Sequence, residues 1–381
     1  MLSRRMFAAA GLGGMFAGAG LGTGRAVHGQ TPAAKPVAPT MLVKRLEGRD
    51  EPIIDPGLPI IDAHHHLFDK GATRYLFPEY IDDVNAGHNI VASVYMEIKA
   101  FERNYGPAPE RMLGEVEFAN GMGAIGASGV YGPCRVAAGI VGEADLRSGD
   151  AIADVLDQAI ARAPDRLRGL RQVLNDSPSP LPYRFMTNPP PRGLMRNPAF
   201  RRGLRHLAVR GLSFDAAVFH TQLPELAGLA DDFPTTSFIL NHAGMALAME
   251  GGAAERARVF GIWRSNIRSI AKRPNISCKI GGFGLPFWGF GFNERVGPIG
   301  HRVLAETWRP YIETCVEAFG ADRCMMESNY PPDARSCGFV PLWNALKLAV
   351  AGATSAEKTA LFSGTAARVY RLRLPVADRT S

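Results

Sequence analysis

The chain has 381 residues, 46% hydrophobic and 21% charged, enough to bury a large core and too apolar for wholesale disorder. Its formal net charge of +7 comes without any Lys/Arg run interleaved with aromatics, which argues against nucleic-acid binding and leaves room for a basic pocket that takes an acidic small molecule. Five cysteines (134, 278, 315, 324 and 337) lack CxxC spacing, so neither a zinc knuckle nor a disulfide framework is expected.

Residues 1–29 open with Ser3-Arg4-Arg5-Met6-Phe7, followed by an uncharged Ala/Gly/Leu run from Ala8 to Gly24. This resembles a twin-arginine export signal and predicts the twin-arginine export machinery as a partner and the periplasm as destination. The run is too glycine-rich for a stable membrane anchor. Its removal takes away Arg4, Arg5 and Arg25 and no acid, lowering the formal charge from +7 to +4. Residues 30–59 contain Pro32, Pro36, Pro39, Pro52, Pro56 and Pro59 and read as an extended tether rather than core.

From Ile60 onward, short apolar runs alternate with helical patterns. Strands are expected at Ile60–His64, Ile90–Glu97, Arg135–Val141, Leu167–Val173, Leu212–Phe219, Thr236–Leu240, Ile276–Ile280 and Cys324–Glu327. Amphipathic segments such as Arg111–Ser128, Asp150–Arg162, Pro198–Arg210 and Gly300–Phe319 fall between them, with Pro341–Val350 and Ser355–Arg371 at the end. Continuous rather than alternating apolar strands suit a parallel sheet covered by helices. The fold class is therefore α/β, a single (β/α)8 TIM barrel over 60–373 with a short tail at 374–381. A doubly wound open sheet is disfavoured because no GxGxxG follows the first strand.

In such a barrel the C-terminal ends of the strands build the catalytic mouth. Strand one ends in Asp62-Ala63-His64-His65-His66, and residues two apart share a face, so His64 and His66 can present two imidazoles to one ion while His65 points away. Neutral imidazoles suit Zn²⁺, and a catalytic site keeps one position open for water.

The chain resembles the amidohydrolase-related branch of the amidohydrolase superfamily, which includes lactonases and the aminocarboxymuconate semialdehyde decarboxylase group. The resemblance rests on Asp62-Ala63-His64-His65-His66-Leu67-Phe68-Asp69, Arg168-Gly169-Leu170-Arg171, Phe219-His220-Thr221-Gln222-Leu223-Pro224-Glu225-Leu226, Leu240-Asn241-His242-Ala243-Gly244 and Arg323 to Pro331, in that order. It implies that His64 and His66 are metal ligands, that His220 is a third nitrogen ligand, and that His242 polarises the substrate carbonyl. A satisfied core histidine is the alternative for His220 and His242. The implied cofactor is one divalent metal ion, Zn²⁺ first.

The family pattern has an aspartate after strand eight, where this chain has Ser328-Asn329-Tyr330-Pro331. An amide cannot serve as a base near neutral pH, although its oxygen can still ligate a cation. Glu327 is the first candidate for the displaced base, Glu97 the second and Asp333 a third. Arg171 closes strand four, where other branches carry a carbamylated lysine, so at most one ion is expected. It suits a bidentate grip on a substrate carboxylate or, alternatively, a rim ion pair. The Pro-rich stretch Asn175–Arg196 and the aromatic Gly281–Pro298, with Trp288, are expected to cover the mouth and contact substrate. The aromatics fit equally a contact between copies in a homo-oligomer.

These features point to hydrolysis of a small, acidic lactone of the pyrone-dicarboxylate or muconolactone type by metal-activated water. A metal-dependent non-oxidative decarboxylase and a non-catalytic exported binding barrel are the rivals.

Overall fold

A computed structural model of the chain describes residues 44–373 apart from Ala72 and Thr187. The expected signal at 1–29, the first part of the tether and the tail at 374–381 lie outside the described residues.

The apolar runs form eight parallel strands: β1 (Ile60–His65), β2 (Ile90–Met96), β3 (Arg135–Glu143), β4 (Leu167–Arg171), β5 (Ser213–Ala216), β6 (Phe238–Leu240), β7 (Ile276–Ile280) and β8 (Cys324–Met326). They hydrogen-bond in sequence order. The seam between β8 and β1 closes just beyond β8, where the His66 amide donates to Tyr330 O at 2.8 Å and the Asn329 amide to His64 O at 2.9 Å. The barrel is nearly closed, as the sequence predicts.

One helix follows each strand: α1 (Phe77–Val84), α2 (Leu113–Ala127), α3 (Ile152–Arg162), α4 (Pro198–Ala208), α5 (Leu223–Asp232), α6 (Gly252–Ile270), α7 (His301–Phe319) and α8 (Phe339–Ala349). Local chemistry sets their starts. In α4, Pro198 stands in the first turn and the Asn197 side chain accepts from the amides of Ala199 and Phe200.

Ile61, Ala63, Ala92, Val94, Met96, Val141, Ile239 and Met325 fill the barrel interior, and Ala366 and Tyr370 join them from the C-terminal segment. This is a packed core rather than a pore, and it leaves the strand ends free to carry polar groups.

The expected tether is corrected over its described part, because residues 44–59 fold onto the barrel. Lys44 Nζ donates to Phe292 O at 2.8 Å, Arg45 pairs with Asp82 and Asp83, and Asn344 exchanges hydrogen bonds with Ile54 N and Pro52 O. Proline fixes φ without deciding whether a segment packs, so the composition of this stretch misleads.

Candidate active site

Polar side chains from six strand ends converge on a cavity of about 520 Å³ at the C-terminal mouth. His66, Glu97, Arg171, His242 and Asn329 all line it. The Pro-rich loop after β4 contributes Phe185 and Pro189–Pro191, and the loop after β7 contributes Leu285, Pro286 and Phe287. The two loops meet where the Phe185 and Phe287 rings lie 6.3 Å apart, so they wall the mouth as expected.

The partners of the imidazoles fix their tautomers. His66 Nδ1 is 2.9 Å from Met96 O, and a carbonyl only accepts, so Nδ1 carries the proton and Nε2 a bare lone pair. His242 Nδ1 is 2.6 Å from Glu327 Oε1, which likewise leaves Nε2 free. His64 Nδ1 lies 2.9 Å from Glu327 Oε2, a charge contact outside hydrogen-bonding geometry, and 3.5 Å from Lys279 Nζ. The nearer carboxylate favours the proton on Nδ1 here too. Two bare Nε2 atoms, those of His64 and His66, then face each other at 3.1 Å. Such lone pairs repel unless something positive sits beside them. Burial pushes both imidazoles well below their ordinary pKa, with the neighbouring cations adding to the effect, so they stay neutral.

The charges around this pair nearly cancel. Arg171 Nε donates to Glu97 Oε1 at 2.6 Å and a second guanidinium nitrogen to Glu97 O at 2.6 Å, while its Nη1 lies 3.3 Å from His64 Nε2. Lys279, fully buried on β7, pairs with Asp215 at 2.9 Å, and Asp215 also accepts from Tyr370 Oη and Asn241. With those two ion pairs matched, the Glu327 carboxylate has no cation of its own and touches the imidazoles of His64 and His242. His64, His242 and Glu327 offer ligating atoms within 4.8 Å of one another. An unmatched carboxylate behind neutral nitrogens with outward lone pairs is a donor set that fits one divalent cation.

The backbone is shaped around these groups. His242, Ala243 and Asn329 take positive φ of 51°, 48° and 49°, unusual for residues with a β-carbon. A Cβ on Gly281 would strike Glu327, and one on Gly282 would strike the His242 ring, so this glycine pair lets the imidazole and carboxylate meet. Asp62, fully buried, accepts from the Ser328 amide and hydroxyl and from Tyr80 Oη, tying β1 to the turn after β8.

Several expected site residues lie elsewhere or act differently. His220 is not brought to the cluster; its Nδ1 accepts from the Leu247 amide at 3.1 Å, so it braces the loop after β6. Trp288 does not reach the cavity wall; it is fully buried, donates to Gly282 O at 2.8 Å and stacks on Phe290, while its neighbour Phe287 faces the cavity. Arg171 is no free carboxylate grip, because Glu97 and His64 already engage its guanidinium. Glu327 lies behind His242 rather than on the cavity wall. Asp333 is buried and accepts from Asn329 Nδ2 at 2.7 Å and from the Gly284 amide.

Lys279 and Asp215 are site residues that the sequence motifs do not mark. The available signal was a lysine inside the apolar run Ile276-Ser277-Cys278-Lys279-Ile280, a costly placement unless the charge is matched.

A family model described as Amidohydrolase matches residues 61–372. An uncharacterized protein, y4mH, of Sinorhizobium fredii is 30% identical over 337 residues, covering 83% of this chain and 99% of that protein. An L-fucono-1,5-lactonase of Burkholderia multivorans is 28% identical over 257 residues, covering 64% of this chain and 75% of its own length. Among solved structures, an amidohydrolase of Burkholderia multivorans with bound zinc aligns with a TM-score of 0.63 at 22% identity, over 82% of this chain and 99% of that one. With the family model matched from β1 to the C-terminal segment around a barrel whose mouth holds the His-x-His pair, the chain belongs to the amidohydrolase family.

Proposed function

We propose that the protein is a hydrolase that opens a small lactone at this mouth. The observation that carries the reading is the His242–Glu327 couple, in which a buried carboxylate holds Nδ1–H at 2.6 Å and leaves Nε2 as an acceptor on a cavity-lining ring. Such an imidazole can take a proton from an attacking water and return it to the ring oxygen that leaves. Glu327 is then a positioning residue that fixes the tautomer and steadies the imidazolium that forms. Asn329, its amide nitrogen tied to Asp333, keeps its oxygen as an acceptor that can orient the water. Phe185, Phe287 and the proline run wall the mouth with apolar surface, which lowers the local dielectric and strengthens charge interactions beside it.

His64 and His66, with Glu327 behind them, would hold a divalent ion, Zn²⁺ first. When bound, that ion supplies Lewis-acid stabilisation of charge on a carbonyl oxygen. One contact favours a second reading of the same site. Arg171 Nη1 already lies 3.3 Å from His64 Nε2, so the fixed guanidinium can serve as the positive partner without an ion.

Support for lactones over other esters comes from the lactonase relative. The test is a panel including L-fucono-1,5-lactone, muconolactone and 2-pyrone-4,6-dicarboxylate, read for acid release and carbon dioxide together, with and without chelator. Acid release without carbon dioxide supports the hydrolase. Carbon dioxide from an aromatic acid would move the protein to the decarboxylases, and ligand binding without turnover to the binding barrels.

A further inference from the structure

Five lysines and arginines line the cavity, and four of them are occupied. Lys70 Nζ donates to Ile98 O at 2.7 Å, Lys99 pairs with Glu143 at 2.9 Å, Arg147 pairs with Asp145 at 2.6 Å, and Arg171 pairs with Glu97 at 2.6 Å. Arg335 is the exception. Among the described residues it has neither a carboxylate partner nor a side-chain hydrogen bond, and its guanidinium lies 5.9 Å from the centre of the Phe185 ring in the loop over the mouth.

Its support is rigid. Arg335 ends the short helical turn Pro332–Arg335. That turn is fastened by Asn329 Nδ2 and the Gly284 amide, both donating to Asp333, and by Ser336 Oγ donating to Gly284 O at 2.6 Å. The same bonds fix Asn329, so Arg335, six residues later in the chain, lines the same cavity at a set position. Partial burial lowers its pKa, the mark of a cation that gives up water without gaining a counter-charge. A guanidinium stays protonated regardless, and a partly desolvated one stacked near an aromatic ring gains most from a planar, bidentate anion.

We propose that Arg335, rather than Arg171, is the residue that selects the substrate, and that it binds a carboxylate substituent on the ring to be opened. The proposal rests on the reading of the cavity as a lactone-hydrolase site. The lactone carbonyl lies toward His242 and Asn329, and the carboxylate toward Arg335 beneath Phe185.

The probes are a γ-lactone bearing a carboxylate and its neutral carboxamide, measured both by calorimetric binding and by turnover, in the full chain and in Arg335→Gln and Arg335→Lys. The expected result is tighter binding of the carboxylate by the natural protein, a preference that Arg335→Gln cuts about 10- to 100-fold. Arg335→Lys should restore part of it. In turnover the loss should fall mainly in KM. Thermal melting of each variant separates a lost anchor from a lost fold.

Equal affinity of the natural protein for the two probes would overturn the proposal, as would binding of neither, or an equal loss for both in Arg335→Gln. A carboxylate preference that depends on Arg335, without turnover of either probe, would uphold the anchor and sink the hydrolase reading. Turnover without preference would do the reverse.

Discussion

Replacing Glu327 by glutamine changes two oxygens into one oxygen and one amino group at a position buried completely between two imidazoles. Oε1 accepts from His242 Nδ1 at 2.6 Å, and Oε2 sits 2.9 Å from His64 Nδ1. An amide oxygen can serve only one of these N–H groups, so the amino group must face the other, donor against donor. The cheaper outcome moves that ring's proton to Nε2. If the ring is His242, its cavity-side nitrogen turns from acceptor to donor and cannot take a proton from water. If it is His64, the lone pair facing His66 is lost. The broken charge-assisted hydrogen bond costs about 1.5–3 kcal/mol, and the misplaced proton should lower kcat by roughly 10²–10⁴-fold. KM should change little, because Glu327 does not line the cavity. The assay is acid release from the best lactone of the panel, with thermal melting as the control for folding. Full activity of Glu327→Gln would refute the role of this carboxylate in fixing the imidazole tautomers.

Three further outcomes follow from the same contacts. Arg171→Ala leaves the buried Glu97 carboxylate without its cation and should cost about 3–5 kcal/mol in denaturant unfolding, whereas the double variant Arg171→Met with Glu97→Gln should recover most of that; a single variant as stable as the natural chain would contradict the pairing. Asn329→Asp places a second carboxylate against Asp333, whose own pKa burial already raises well above the usual range, so the pair must share a proton. The folded variant then binds more protons than the unfolded chain once pH exceeds the ordinary carboxylate pKa of about 4, so its melting temperature should fall as pH rises above that value, and a pH-independent difference from the natural protein would count against the shared proton. His88 donates from Nε2 to Val340 O and accepts at Nδ1 from Lys347, and burial holds its pKa down at about 3 against 6.5 in the open chain. The unfolded state therefore binds the extra proton between those values, so stability is intact above about pH 6.5 and is lost on acidification below it, at up to about 1.4 kcal/mol per pH unit from this group. Melting curves of His88→Gln should show a shallower acid slope than the natural chain.

Much of this architecture could be read from the sequence, because β-strands buried on both faces announce themselves as continuous Val/Ile/Leu runs. The apolar run Ile276–Ile280 predicts β7 to the residue. β5 is shorter than the predicted Leu212–Phe219, since Ala217, Val218 and Phe219 are as apolar as a strand yet form a buried loop, and hydropathy does not separate the two. The His64/His66 pair was legible because a strand's two-residue period puts both rings on one face. The partners of these rings were not legible. That Glu327 stands behind His242, that Arg171 spends its charge on Glu97, and that Lys279 meets Asp215 across the barrel are contacts 64 to 85 residues apart in the chain, set by the relative rotation of strands. His220 and Trp288 illustrate the opposite error. Each sits on a strand-end loop where function is common, but His220 braces the neighbouring loop after β6 and Trp288 its own loop after β7.

Isotope incorporation shows whether water opens an ester ring at His242. Turnover in heavy-oxygen water, of the lactone the panel identifies, should place one labelled oxygen in the newly formed carboxylate, with no carbon dioxide released and with the labelling rate lost in His242→Ala. An unlabelled product, release of carbon dioxide, or undiminished labelling by His242→Ala would contradict the account.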